Sequence, residues 1–510
     1  MDSQIVIYSW IFMGLFILMM LFFGWIGLRK TKTADDFATA RSSYSPVVIA
    51  LVIAAGISSG STFMGMPGLA YSIGTPSLWY PLLYPIATVI GMLFVAKVIK
   101  KYGDEFGTRT IPEFIGERYN SEFLRIALTI ISILLIFYVI SQFVAAATMF
   151  QTMMGIDYGL GLIITAVVIG IYVFMGGSHS DIITDTVQGI LMLLVALTVF
   201  ICFAMGIGVN GGFSGMMQAI STAKPEGNFN QLFLPGDKTY GSFWLVGLLF
   251  IAHLPFAIQP HLGNKFMAVK EGKDIRKLIM YCTAFATILP LMALGGMLGI
   301  AVIGSDAAIH PDQIIPVLFS EIFPPIIAAF LAVAVLSAVM STSDGLVVSL
   351  SQLLANDLYR KTIVPRINIS KERAERNELL ISRYSTVLIL VAAVLLAWSP
   401  PESLSIFLWI GIGGIMAATA GPILLGGLWE RATKKAAIAS LLVGTSVYWI
   451  VYLPFGFNFS NPFGASGIGV IVGLVVMYVV TILTTNSSSG NVEKNRFSDS
   501  SNTKVLNRKV

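Results

Sequence analysis

The feature that most constrains this chain is a series of apolar blocks, each roughly 18 to 30 residues long, that recurs almost to its end. A bilayer core about 30 Å thick needs about 20 such residues per helix. Uninterrupted runs such as IISILLIFYVISQFVAAATMF lack the alternation of a transmembrane barrel. Charged residues make up only 12% of the chain, against about 25% in a soluble domain. The sequence therefore predicts an all-α polytopic membrane protein.

The blocks predict thirteen spans, which we number in chain order. They cover residues 6–28, 47–73, 78–98, 123–152, 157–175, 184–206, 243–264, 277–304, 324–357, 379–397, 402–427, 436–453 and 465–484. Residues 485–510 are polar throughout, and we expect a disordered cytoplasmic tail there. The domain organisation is then a transmembrane domain over 1–484 followed by this tail.

The basic residues predict the orientation of the spans, because Lys and Arg stay on the cytoplasmic side of short loops. Of the 32 Lys and Arg residues, only Lys224 and Lys238 fall in loops on the opposite side. We therefore expect a multi-pass protein of the cell membrane with its N-terminus outside and its C-terminus inside. On this interpretation Lys265 belongs to a cytoplasmic loop, and no basic residue lies deep in a span. The net charge of +5 needs no nucleic-acid partner.

Two spans contain helix-breaking residues at matching positions. Span 2 contains GISSGSTFMGMPG, and span 7 contains HLPFAIQPHLGNK. Irregular backbone at membrane depth is tolerated where it lines a cavity or is buried in protein. Paired interruptions indicate an inverted-repeat transporter, with core repeats at about 47–206 and 243–427. The alternative is that these Gly and Pro residues serve only close helix packing.

Span 9 offers oxygen ligands for a cation. Ala338, Ser341 and Thr342 are spaced i, i+3, i+4 and share one helix face. Two hydroxyls beside a broken helix could complete a cage of neutral oxygens around a small hard cation. The alternative is that each hydroxyl bonds the carbonyl four residues earlier.

Three acids lie in or near the spans. Asp181 and Asp185 are one turn apart at the start of span 6, and Asp344 follows Ser341 by three residues. We expect Asp181 to be a solvated charge at a helix start, and Asp185 and Asp344 to be functional, with roles in cation exit or coupling. The four histidines show no ligand spacing, so we expect no transition-metal site.

Several motifs in the same order resemble those of the sodium:solute symporter family. They are TRTIPEFIGERY at 108–119, GGSHSDIITDTVQG at 176–189, QPHLGNKFMAVK at 259–270, VLSAVMSTSDGL at 335–346, and the WSPPES and GLWERATKKAA stretches. The resemblance covers nearly the whole chain. It implies a LeuT-like core of two inverted five-helix repeats with discontinuous first helices, one extra helix before this core and two after it.

The resemblance also implies a sodium site between spans 2 and 9. Its ligands would be the backbone carbonyls of Ala55, Ser58 and Ala338 and the hydroxyls of Ser341 and Thr342. Asp185 matches the acid near the ion's cytoplasmic exit in relatives. We expect substrate contacts at five positions in the two breaks: Ser59, Gly60, Thr62, Phe256 and Gln259.

Two departures bear on the substrate. Proline-carrying relatives have an acid in the first break, where this chain has Ile57, and their substrate-lining aromatic residues of span 7 fall on Ala252 and Phe256. The pattern is somewhat more similar to pantothenate and organic-acid carriers.

We therefore predict a sodium-coupled symporter that imports a small carboxylate of the pantothenate or monocarboxylate type, and not an enzyme. The sodium ion is the cotransported cofactor, and we expect no organic cofactor. The partners are the solute, the ion and the bilayer, with no obligate protein partner. The alternatives are a sodium/proline or other amino-acid symporter, proton coupling through Asp185 or Asp344, a channel, and a membrane-embedded sensor or enzyme on a transporter-like scaffold.

Overall fold

The computed structural model describes residues 3–223, 230–305, 307–399, 404–453 and 461–486. Within these ranges the regular structure is helical, apart from an isolated parallel bridge between Tyr44 and Val269. The tail was predicted over 485–510; Thr485 and Asn486 continue the last helix, and residues 487–510 lie outside the described residues, as do Lys224 and the end of the WSPPES stretch.

Fourteen helical segments carry the apolar blocks. They are α1 (Ser3–Lys30), α2 (Pro46–Ile57), α3 (Ser61–Ile73), α4 (Thr75–Phe106), α5 (Glu122–Met154), α6 (Tyr158–Met205), α7 (Phe243–Ile258), α8 (Pro260–Ala268), α9 (Gly272–Ile303), α10 (Pro325–Arg366), α11 (Lys371–Leu396), α12 (Leu404–Leu425), α13 (Lys434–Tyr452) and α14 (Pro462–Thr485). Shorter connecting helices include Ala34–Thr39, Ile111–Arg118 and Gly212–Thr222.

Both predicted interruptions are real bends in the helices. The pair α2 and α3 is bent by 58°, and the pair α7 and α8 is bent by 49°. The part of the chain described here has ten helices long and apolar enough to cross a membrane, and up to twelve if each bent pair forms one span. The predicted count of thirteen is not confirmed.

The difference arises at predicted spans 5 and 6, which are two helices that meet at a kink at Gly177 and are counted together as the 48-residue element α6. At about 1.5 Å per residue, a straight helix of this length would far exceed a bilayer core. Its backbone is interrupted at Gly177, where φ is 51° and ψ is −134°. A side chain there would also collide with Phe37, whose Cγ lies 2.6 Å from the position of a Cβ. Only glycine meets both conditions, so α6 changes direction without a loop.

The site lies among the most enclosed helices. We compared the helices over one apolar stretch of 18 residues in each. The buried share of this stretch is 83% in α10 and 89% in α12, but only 28% in α1. α1 packs on α6 from outside, and its small residues allow a close approach: a Cβ at Gly24 would lie 2.5 Å from the Cβ of Tyr172. α10 is therefore a central helix that α2, α5 and α6 surround.

Candidate ion and substrate site

The first break exposes backbone oxygens at the end of α2. The last helical hydrogen bond runs from the Ser58 N–H to the Ala54 carbonyl, at 3.0 Å. A helix end leaves its last carbonyls without intrahelical donors. In the described chain, no turn or loop N–H donates to the carbonyl of Ala55 or of Ser58. These two oxygens are therefore available as ligands.

The first break packs directly against α10. A Cβ placed on Gly60 would come within 2.9 Å of the Val339 Cγ2 atom. Ser341 and Thr342 lie on the following turn, and both are fully buried. The Ser341 hydroxyl lies beside the Asp185 carboxylate but makes no hydrogen bond of ordinary geometry among the residues that the structure describes, whereas the Thr342 hydroxyl donates to the Ala338 carbonyl at 3.3 Å. The alternative predicted for these hydroxyls therefore holds for Thr342 and not for Ser341.

A cluster of three carboxylates lies beside these hydroxyls. Asp181, Asp185 and Asp344 are all buried, and each has a carboxylate oxygen within 4.8 Å of the others. The Lys265 ammonium lies 2.9 Å from Asp181 and 2.7 Å from Asp185. Charges buried in this way are costly unless they are paired, so Lys265 stabilises the cluster. The cluster joins α6, α8 and α10.

Asp344, the third carboxylate, forms no ion pair with Lys265 among the described contacts. Its carboxylate accepts hydrogen bonds from the Tyr172 hydroxyl at 3.1 Å, from the Thr184 hydroxyl at 3.3 Å and from the Gly345 N–H at 2.8 Å. A carboxylate that accepts three such bonds is held in one position. Asp344 therefore fixes α10 against α6, next to the hydroxyls of the predicted ion site.

The expectation that Asp181 is a solvated charge was wrong, because Asp181 is 2% exposed. Lys265, which the sequence placed in the loop after span 7, lies within α8 and is 5% exposed. The physical reason is the short helix α8, which turns back from the break and inserts Lys265 between the carboxylates on α6.

A small cavity lies between the two breaks. Its volume is about 10 Å³, enough for about one water molecule, so it must widen before an organic solute fits. The cavity is lined by Ile57, Ser59, Ser61, Thr62, Met66, Tyr80, Tyr84, Tyr138, His253, Phe256 and Leu408. Three of the five predicted substrate positions, Ser59, Thr62 and Phe256, therefore line one cavity.

The other two predicted substrate positions lie elsewhere. The Gly60 N–H donates to the Gln142 side-chain oxygen at 2.8 Å, so this backbone group is already paired. Gln259 precedes α8 and is 1% exposed, and within the described ranges neither atom of its amide has a partner. Their roles in substrate binding stay predictions.

The sequence analysis missed the aromatic part of the cavity. His253 lies within 4.5 to 6.4 Å, between ring centres, of five aromatic side chains: Tyr80, Tyr84, Phe256, Trp409 and Phe463. The histidines were examined only for metal-ligand spacing. The signal that could have identified His253 is its place two residues before Pro255, at the end of the first half of a broken helix.

The fold and these buried groups define a membrane transporter with two broken helices at its centre. The chain belongs to the sodium:solute symporter family, whose model matches residues 37–444. It is 28% identical over 471 residues to a sodium/pantothenate symporter of Haemophilus influenzae, covering 89% of this chain and 92% of that one. It is also 28% identical over 502 residues to a sodium/proline symporter of Staphylococcus aureus, covering 93% of each.

Two solved structures are similar in fold. One is a Na+-coupled sialic acid symporter in a substrate-bound outward-open state, with a TM-score of 0.75, 20% identity, and coverage of 93% of this chain and 98% of that one. The other is a nucleobase-cation-symport-1 family transporter in a closed conformation, with a TM-score of 0.54, 13% identity, and coverage of 90% and 97%. The predicted family and LeuT-like fold are confirmed.

Proposed function

We propose that this chain is a sodium-coupled symporter that imports a small organic solute bearing a carboxylate. The observation that carries the ion assignment is the buried Ser341 hydroxyl, which makes no hydrogen bond of ordinary geometry in the described part of the chain and lies beside the Asp185 carboxylate. It lies on the helix that packs against the unpaired carbonyls of Ala55 and Ser58. Neutral oxygens of this kind suit a hard cation such as sodium. A proton would instead bind a carboxylate, and the buried Asp185 and Asp344 make proton coupling the competing assignment that the uptake experiment below tests.

The solute class is supported by the relatives and by the cavity. Pantothenate and proline, the solutes in the names of the two relatives, both carry a carboxylate. Phe256 and the surrounding rings suit the apolar part of such a molecule. A half-helix N-terminus is a common anion site, but that of α3 has its Gly60 and Ser61 N–H groups paired with Gln142 and Ser59. We therefore assign charge compensation to the cotransported sodium ion and to the hydroxyls of Ser59 and Thr62.

An amino acid such as proline is the second candidate. The specific observation in its favour is the similarity to the sodium/proline symporter, which equals the similarity to the pantothenate symporter in identity. The departure at Ile57 weighs against it, because an ammonium group at the first break would meet an apolar side chain.

Uptake into proteoliposomes tests the function directly. Labelled pantothenate, proline, lactate and a neutral sugar are supplied under an inward sodium gradient, an inward proton gradient or no gradient. We expect sodium-driven uptake of at least one carboxylate, which unlabelled sugar does not inhibit. Uptake driven by protons alone, or sodium-driven uptake of the sugar that no carboxylate inhibits, would contradict the proposal.

We also propose that the N-terminus faces outward and the C-terminus faces the cytoplasm. Exposed positions offer matched cysteine probes: Gln218 lies in a loop predicted to be external and Arg373 in one predicted to be internal. With Cys202 and Cys282 replaced by serine, an impermeant maleimide should label Gln218→Cys in intact cells and should label Arg373→Cys only after lysis. The reverse pattern would invert the topology.

A further inference from the structure

The imidazole of His253 is the polar group of the cavity that the proposed function leaves unused. His253 is the last residue of the helix Phe243–His253 and is fully buried. It faces the cavity beside Phe256, whose ring stacks on it with 5.6 Å between ring centres. A buried polar side chain in an aromatic environment normally satisfies both of its polar atoms.

One nitrogen of His253 has a partner that defines the tautomer. The Nδ1 atom lies 2.7 Å from the Leu249 carbonyl oxygen. A carbonyl can only accept, so Nδ1 carries the hydrogen and donates it. In the neutral imidazole the Nε2 atom is then an acceptor. This Nε2 atom is buried and has no partner among the described residues.

Neither of the neighbouring tyrosine hydroxyls makes a hydrogen bond to Nε2. The Trp409 Nε1–H donates to the Tyr80 hydroxyl at 3.1 Å, and the Tyr84 hydroxyl pairs with the Ser58 hydroxyl at 3.2 Å. Their rings lie 5.4 and 5.8 Å from the imidazole, between ring centres. The acceptor capacity of Nε2 is therefore available to whatever enters the cavity.

We propose that His253 Nε2 accepts a hydrogen bond from a hydroxyl or ammonium group of the solute. This contact makes the protein selective for carboxylates that carry such a donor over carboxylates that lack one. A single water molecule fits this small cavity and can serve Nε2 until the solute replaces it. A solute without a donor displaces this water and leaves the acceptor unpaired. The inference rests on the proposed function and narrows its substrate class.

Matched pairs of inhibitors test the selectivity. The pairs are pantothenate with its dideoxy analogue, lactate with propionate, and proline with cyclopentanecarboxylate. Each compound competes with the labelled carboxylate that the wild-type protein takes up under a sodium gradient. We expect the donor-bearing member of the transported class to have an inhibition constant lower by about tenfold or more, as in sites built to bond a substrate hydroxyl.

Two isosteric variants assign the selectivity to one nitrogen. The Gln side chain of His253→Gln reaches the Nε2 position with an acceptor oxygen, whereas that of His253→Asn reaches only the Nδ1 position. The quantity compared is the ratio of the two inhibition constants within a pair. We expect His253→Gln to keep most of the wild-type ratio and His253→Asn to bring the ratio close to one. His253→Phe replaces His253→Asn if the latter fails to reach the membrane. The control is His310→Asn, at an exposed histidine, and it should keep the wild-type ratio.

The possible results distinguish a failure of the His253 proposal from a failure of the proposed transport function. Equal inhibition constants within every pair in the wild-type protein would overturn the inference while leaving carboxylate symport intact. Equal ratios in His253→Asn and His253→Gln would overturn the role of Nε2. A protein with no sodium-driven carboxylate uptake would overturn the proposed function, and the inference would fail with it.

Discussion

The two helix breaks differ in how their polar groups are satisfied. At the first break, the Gly60 N–H bonds the Gln142 side chain and the Ser61 hydroxyl bonds the Ser405 hydroxyl, each at 2.8 Å. At the second break, buried polar atoms of His253, Gln259 and His261 have no partners within the ranges described. The bends themselves are similar, at 58° and 49°.

This difference in hydrogen bonding indicates which ligand each break is suited to bind. Neighbouring helices α5 and α12 hold the first break in one shape, which suits a small ion that needs several oxygens at fixed distances. The second break contains buried polar atoms that have no hydrogen-bond partner in the described part of the chain. Leaving such atoms unpaired costs free energy. This hydrogen-bonding capacity suits a solute that arrives and leaves, because the solute can satisfy the groups while it is bound.

The largest expected effect comes from removing the Lys265 ammonium, which ties the second break to the carboxylates on α6. Lys265→Met leaves Asp181 and Asp185 buried without their cation, and breaking a buried pair in this way costs about 3–5 kcal/mol. We expect a large fall in the unfolding temperature in detergent and loss of sodium-driven uptake. Lys273→Met is the control, because Lys273 is 77% exposed and pairs with Glu271 at the surface. Equal stability of the two variants would show that Lys265 does not anchor this break.

The next effect tests the first break as the ion site. Ser341→Ala removes an unpaired oxygen from the proposed sodium cage, and we expect the sodium concentration for half-maximal uptake to rise by about tenfold or more. Thr342→Ala should raise this concentration as well, because the Thr342 hydroxyl donates only its hydrogen to the Ala338 carbonyl and keeps its oxygen lone pairs for the ion. Ser343→Ala is the control, since its hydroxyl donates to the Val339 carbonyl at 2.8 Å. Unchanged sodium curves in the first two variants would refute the assigned ligands.

The smallest effect is expected when a glutamine near each break is replaced by leucine. Gln142→Leu leaves the Gly60 N–H unpaired, which costs about 1–3 kcal/mol of the free energy of unfolding. Gln259→Leu removes an amide that has no partner in the described chain, so it should leave stability unchanged or raise it, while lowering the affinity for solute. Thermal unfolding and inhibition constants measured on both variants check this. A Gln259→Leu protein as unstable as Gln142→Leu would remove the contrast between the breaks.

Local sequence was sufficient for the features that depend on local chemistry. A block of apolar residues predicts a membrane helix, and clustered Gly and Pro predict its interruption; both bends were found where GISSGSTFMGMPG and HLPFAIQPHLGNK lie. The count of thirteen spans was not confirmed, because predicted spans 5 and 6 meet at a kink at Gly177, without a loop between them, and count as the single element α6.

The sequence by itself determined that this chain is a helical membrane protein of the sodium:solute symporter family, because hydrophobic length, helix breaks and ordered motifs are written in contiguous residues. Only the tertiary structure decided which distant groups meet. Lys265 is separated from Asp185 by 80 residues, and its basic neighbours along the chain suggested a loop. Tyr80, His253 and Trp409 come from three separate helices. Their pairing depends on how α4, α7, α8 and α12 pack in space, and no local pattern encodes that packing.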